Sequence, residues 1–471
     1  MDYFRSYTLS ADVSVVAAWE SETARAREIP SLARLIAERG AELYPEFVKR
    51  YAEVRALSRS ARRALQRRLA ASRDLTAIPA EWRRRLAYSI AGAALLLVLS
   101  DGPLKAATIN VGPGCTLRDA ILSANRDTQY GSCTPGASGL DTIVIPAKSK
   151  IVLTNILSID YGSAGLPTVT SPITVTGNFA SISRSKKGPA MRLITVAGNG
   201  DLTLNNLTLS AGYSYYGGGA IYNAGILEVN NCIISGNAAY SGAVATSGTG
   251  TTTISGTTFT KNVAYNGGAV YNQGQTDILD STVTGNRAFS VGGGLYNYNG
   301  SMSVQNSTLS KNSANDAGGA IANYNGAVSV DPTIITGNKA ALGGGIANAY
   351  GYVYVSDSTI SKNSAIIGGG GIANIGGNGS APNGPLPTLI VTNSTVITGN
   401  KSSTLGGGIF NCGRFILDDS TISGNSAKAG GGIANVHGYK IGLSCFFNTD
   451  YENNPTIAGN KAKVGADYFE Y

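Results

Sequence analysis

The sequence predicts an all-β protein, a parallel β-helix of about 25 residues per coil with an N-terminal α-helical cap and a helical leader in front. Three observations predict it. A Gly-rich motif recurs as GGGAIYN, GGAVYN, GGGLYN, GGAIAN, GGGIAN, GGGGIAN, GGGIFN and GGGIAN, and a second motif, hydrophobic-[ST/A]-[GK]-Asn, recurs with the same period. No unit holds an uninterrupted helical pattern of about ten residues, which excludes helix-pair solenoids. The composition agrees: 61 Gly but only 15 Pro in 471 residues, with 43% hydrophobic residues, calls for many tight turns and not for disorder.

Residues 1–82 are rich in Ala, Arg, Leu and Glu. Apolar residues such as Leu32, Leu35, Ile36, Val54 and Leu57 stand at helical spacing, so this segment reads as a basic helical leader. Of the net charge of +8, residues 1–85 carry +6 (17 Lys+Arg against 11 Asp+Glu) and the remainder +2 (20 against 18). A nearly neutral body offers no electrostatic footprint for nucleic acid, and none is expected as a partner.

Residues 83–107 begin with Arg83, Arg84 and Arg85 and continue into a 14-residue apolar run, 86–99. That run is short for a membrane span, which needs about 20 residues, and suits a signal-peptide core. Small residues Ala106 and Ala107 follow, so export with cleavage near them is expected. The protein is then secreted or held at the outer membrane or cell surface, touching the membrane only through the export signal or an unidentified anchor.

Residues 108–190 read as a cap module with the first strands. Thr116 followed by Asp119 makes a capping-box-like helix start among Leu117, Ala120, Ile121 and Ala124. Cys115 and Cys133 bracket this helix and, in an exported protein, are expected to form a disulfide. The pairing of Cys232, Cys412 and Cys445 stays open. DTIVIP, residues 141–146, is a short buried-type strand.

The repeats fill 191–460, with 461–471 as a tail. The first motif ends at Asn223, Asn272, Asn297, Asn323, Asn348, Asn374, Asn411 and Asn435, and a degenerate copy, SGAVAT, puts Thr246 in the first gap. The spacings are then 23, 26, 25, 26, 25, 26, 37 and 24. The second motif ends at Asn237, Asn262, Asn286, Asn312, Asn338, Asn363, Asn400, Asn425 and Asn460. Three short strands and three turns fit each unit, and stacked strands about 4.8 Å apart give about ten to twelve coils. Paired glycines allow positive φ at a bend, while the first-motif asparagines are expected to bond above and below as a ladder. GGNGSAPNGPLP, residues 376–387, reads as a loop inserted between coils.

CTLRDAILSAN, with the downstream cysteine and DTIVIP, resembles the CSLREA-type N-terminal module of exported bacterial β-helix proteins. The GGAI/GGGI repeats and FTKN, residues 259–262, resemble those of the polymorphic outer-membrane protein family. Together the likenesses cover about 108–460. They imply a right-handed β-helix at the cell surface or secreted, of an adhesive or structural kind. Members of the second family end in a membrane β-barrel, whereas only about 11 residues follow the last recognisable repeat here.

Polysaccharide-active enzymes also use parallel β-helices, so the carboxylates need weighing. Asp280, Asn306, Asp331, Asp357, Asn393 and Asp419 hold one position of the repeat. Asp and Asn interchange there as a turn residue permits and a catalytic carboxylate does not. His437, the one histidine, falls in a turn slot that elsewhere holds Gly, Asn or Tyr. HExxH, a P-loop and GGxGxD calcium repeats are absent. No catalytic residue, metal or cofactor is therefore assigned. Tyr222, Tyr271 and Tyr296 share a slot expected to point outward, with Tyr271 and Tyr296 stacking, and form the candidate binding residues. The expected function is a non-catalytic adhesion or structural module for surface glycans or other cell-surface proteins. The alternatives are a lyase or glycoside hydrolase using carboxylates on one face, and an inert secreted scaffold.

Overall fold

The computed structural model describes residues 106–376 apart from 138, residues 386–436, most of 438–470, and short stretches before residue 100. The chain winds into a parallel β-solenoid of about ten turns with about 26 residues per turn. One turn shows the plan. Strand Gln275–Leu279 bends at Asp280 into Thr282–Thr284, turns at residues 285–286 into Arg287–Ala288, and turns again at 292–294 into Leu295–Tyr298. The next coil starts with Ser301–Ser310. Equivalent strands of successive coils pair in parallel, which builds sheets of 21, 11 and eight strands.

Parallel pairing in register sets like residues on like. Ile278 pairs with Ile254 and Val304, Val283 with Phe259 and Leu309, and Val270 with Val244 and Leu295. All nine side chains are fully buried, so each coil sends three apolar side chains into one continuous core. Each contributes about 1.5–3 kcal/mol by leaving water.

The bends explain the small polar residues. Asn206, Asn231, Gly256, Asp280, Asn306, Asp357, Asn393 and Asp419 all sit at φ between 39° and 57°. Left-handed backbone costs most L-residues about 1–2 kcal/mol; Gly is free of that cost, and Asn and Asp visit it most readily. Asp331 is the exception in this column. It precedes Pro332, which disfavours helical backbone, and its strand Ala327–Thr336 runs through without the bend. A second left-handed column, at φ between 55° and 69°, holds Gly236, Lys261, Gly285, Lys311, Gly337, Lys362, Gly399, Gly424 and Gly459. In the paired-glycine turn the need is close approach: a Cβ on Gly293 would lie 2.3 Å from the Gly319 carbonyl oxygen of the next coil.

At the N-terminal end of the solenoid the helix Leu117–Arg126 buries Leu117, Ala120, Ile121 and Ala124 and lies against the first strands. The Thr116 hydroxyl accepts from the Asp119 amide (3.2 Å) and donates to the Asp119 carboxylate (2.7 Å). Cys115 and Cys133 are disulfide-bonded, with Cα atoms 4.6 Å apart. Residues 461–470, expected as a tail, continue the winding instead: Tyr468–Glu470 pairs with Ile433–Asn435. In the signal-like segment Ile90–Leu99 is helical, and among the described residues no helix is long and apolar enough to cross a membrane. Most of the leader, residues 377–385 of the inserted loop, and His437 lie outside the described residues.

Candidate functional site

Three polar columns run along the solenoid. In the first, Asn272 donates through Nδ2 to Asn297 Oδ1 (2.7 Å), and the same bond repeats through Asn323, Asn348, Asn374 and Asn411 to Asn435. Asn223 does not join directly, because Thr246 stands between. Hydroxyls bridge the gap: Asn223 donates to Thr252 (3.0 Å), Thr252 meets Thr246 (2.7 Å), Thr246 meets Thr276 (3.3 Å), and Thr276 donates to Asn272 (2.9 Å).

The second column is unbroken. Asn237 donates to Asn262 Oδ1 at 3.0 Å, and each successor repeats the bond down to Asn460, which donates to Asp467 (3.0 Å). Each side-chain oxygen also receives the backbone amide of the coil before, as Asn286 does from Asn262 (3.0 Å). A third column of Thr257, Ser281, Ser307, Thr333, Ser358 and Thr395 works the same way with hydroxyls. Cys232 occupies its first place: its sulfur receives the Leu207 amide (3.4 Å), and its own amide donates to Thr257 (3.2 Å). Burial pushes this free thiol up to about 11. These columns satisfy buried polar groups coil by coil and so hold successive coils together.

The tyrosines of the candidate slot differ in exposure. Tyr271 and Tyr296 meet edge to face, with centroids 5.5 Å apart, and Tyr296 is only 8% exposed. Tyr296 is flanked by two rings, Tyr271 on the coil before and Tyr298 on its own strand, and its Cβ lies close over the Gly292 turn. The chain of rings then continues from Tyr296 to Tyr298 (5.9 Å), Tyr324 (5.5 Å) and Tyr350 (5.4 Å). Five rings thus form one aromatic track over four coils, and Tyr324 is 40% exposed. Burial pushes Tyr271 up to about 12, with Tyr298 and Tyr240 adding to it. Tyr296 is raised as well, first by burial and then by its tyrosine neighbours.

Tyr222 is separated from this track, since Ala245 pairs between it and Tyr271. It serves Arg192 instead. The Arg192 guanidinium is fully buried 4.9 Å from the Tyr222 ring, which stacks on Tyr161 at 5.5 Å. Nη2 donates to Ser214 (3.3 Å), while Nε and Nη1 have no hydrogen-bond partner. Burial lowers Arg192 to about 10, against a smaller opposing pull from Tyr222.

A family model, the Chlamydia polymorphic membrane protein repeat, matches residues 256–273. No curated protein and no solved structure matches the chain. The matched stretch is most of one coil, from the bend at Gly256 through FTKN and its ladder residue Asn262 to Tyr271 and Asn272. Together with the parallel solenoid it fits a β-helix of the polymorphic membrane protein kind.

The repeated acidic column does not assemble a carboxylate pair of one geometry. Asp357 is left-handed and Asp331, one coil earlier, is extended, while Asp280 accepts from Asn306. Asp277 lies on the outer side of its strand and accepts from Gln275 (3.3 Å). Among the described residues no group of three or more His, Cys, Asp or Glu could hold a metal ion. A more exposed aromatic column escaped the sequence reading. Tyr240 and Tyr265 stack at 5.1 Å and 9°, and Phe289 follows them on the next coil. A constant offset marks it in the sequence: each lies three residues after a second-motif asparagine.

Proposed function

We propose that this chain is an exported or cell-surface adhesin built as a right-handed β-helix, with the helix Leu117–Arg126 as its N-terminal cap in a CSLREA-type module. In this reading residues 83–107 are the export signal, cleaved near Ala106 and Ala107, and no catalysis or cofactor is involved. The aromatic track Tyr271–Tyr296–Tyr298–Tyr324–Tyr350 carries the proposal, because a run of tyrosine rings, half-buried but open at Tyr324, can lie against sugar faces or a partner protein. The repeat match and the solenoid support a surface, autotransporter-like role. Surface glycans are the expected ligands.

The test is glycan-array binding by the wild-type chain and a Tyr271→Ala/Tyr324→Ala variant. The wild type should bind a defined glycan set and the variant should lose at least about tenfold in affinity, or 1.4 kcal/mol, with its melting curve retained. No binding by the wild type, or equal binding by the variant, would remove the tyrosine track as the adhesive face.

A further inference from the structure

The turn around the second asparagine column carries one cation in each of six successive coils: Lys261, Arg287, Lys311, Lys339, Lys362 and Lys401. They alternate in a zigzag. Lys261, Lys311 and Lys362 stand just before the buried asparagine, with Gly285, Gly337 and Gly399 in that place on the coils between. Arg287, Lys339 and Lys401 stand just after it, in a paired column with Val263, Ser313 and Ser364. Cations of one column are therefore two coils apart, about 10 Å, while the ridge as a whole gains one charge every 4.8 Å or so. All six are exposed, and among the described residues none forms an ion pair. Asp316, three residues beyond Ser313, accepts instead from Ser290 (2.8 Å).

The backbone makes the ridge more than a solvated surface. Lys261, Lys311 and Lys362 have φ of 56°, 55° and 55°, where the other coils use glycine. An exposed lysine there is strained. Solubility alone would be served by lysine at unstrained outer positions. The adjoining sheet face adds apolar platforms: Tyr240, Tyr265 and Phe289 project two residues beyond the after-asparagine column, and Arg287 lies 4.8 Å from the Phe289 ring.

We propose that this ridge binds a linear acidic polysaccharide lengthwise, its carboxylates on the zigzag cations and its first sugar rings against Tyr240, Tyr265 and Phe289. A 1,4-linked uronic acid chain advances by close to one coil per sugar, so its charges stay in step with the ridge. Single-stranded nucleic acid fits less well. Its bases need open faces to stack on, and Tyr240 and Tyr265 already cover each other at 5.1 Å, leaving their exposed edges for the sugar rings. The cations of this site are not part of the tyrosine track, although Tyr240 lies near Tyr271.

Binding of the full chain to immobilised polygalacturonate tests the proposal, with its neutral methyl ester and oligothymidylate as comparison probes, at low and high salt. The variant is Lys261→Gly/Lys311→Gly/Lys362→Gly, which installs the residue that other coils already use. The wild type should bind the acid form, lose it at high salt, and ignore the ester. The triple variant should bind at least about tenfold more weakly with an unchanged or raised melting temperature, and Tyr298→Ala/Tyr324→Ala should bind normally. Absence of wild-type binding at low salt, undiminished binding by the triple variant, or equally tight binding of the ester or oligothymidylate would overturn it. Loss of binding in the tyrosine variant would do the same, by moving the site to the track.

Discussion

The Thr246 and Thr252 hydroxyls lie 2.7 Å apart at the one coil where the first asparagine column is interrupted. A repeat with threonine in place of asparagine keeps its buried polar groups bonded through hydroxyls of the strands that follow. Thr246→Val should therefore cost about 1–3 kcal/mol, because it strips partners from buried hydroxyls. Thr246→Asn should be nearly neutral, by installing the residue that the eight other copies use. Thermal unfolding of the two variants checks this, and equal midpoints for Val and Asn would show that the relay adds nothing.

Cys232 is a hydroxyl-column position filled by sulfur. Cys232→Ser should fold with stability within about 1 kcal/mol of wild type, whereas Cys232→Val should lose about 1–3 kcal/mol by orphaning the Leu207 amide. With its thiol pushed up to about 11 by burial, Cys232 should resist a thiol reagent at pH 8 until the protein unfolds. Rapid native-state labelling would contradict its placement.

Arg192 brings a cation into the core without a hydrogen-bonded counter-charge. Its folded value, about 10, is below the ordinary 12.5, so the unfolded chain holds the proton more tightly and the charge works against folding. That penalty is fully present below pH 10 and fades between 10 and 12.5. Arg192→Met keeps most of the volume without the charge and should leave stability unchanged or raise it by about 1–4 kcal/mol. Arg192→Ala should destabilise by opening a cavity under Tyr222. A Met variant that melts far below wild type would show that the cation–ring contact dominates.

The tyrosine track predicts an alkaline signature of opposite sign. Tyr271 holds its proton up to about 12, against an ordinary 10, so its contribution to stability is complete below pH 10 and is lost as pH rises through 12. Absorbance titration should show tyrosines ionising late in the folded protein, with fewer late groups in Tyr271→Phe. Titration of every tyrosine near pH 10 in the folded state would place the track in open water.

Much of the fold was legible in the sequence because each coil repeats the same few physical needs. The apolar columns through Ile278, Val283 and Leu295 follow from parallel register, and both asparagine motifs mark turns that recur at one place. The exposure of the tyrosines was not legible. Tyr271 and Tyr296 share a slot with Tyr222, and the Tyr298 ring beside Tyr296 and the Ala245 that isolates Tyr222 tell the three apart. The lysine ridge escaped for a different reason. Its cations sit on alternate sides of an asparagine, so no single column shows them, and the near-neutral charge of the body conceals them. The acidic column was recognised as a turn, but its left-handed backbone and the exception at Asp331 needed the φ angles.

The most direct test of a surface-borne adhesive solenoid is fractionation of the native cells, with external protease treatment and sequencing of the mature N-terminus. Repeat peptides should be released from intact cells, and the mature chain should start close after Ala107. Recovery in the cytosol of an uncleaved chain, untouched by external protease, would contradict it.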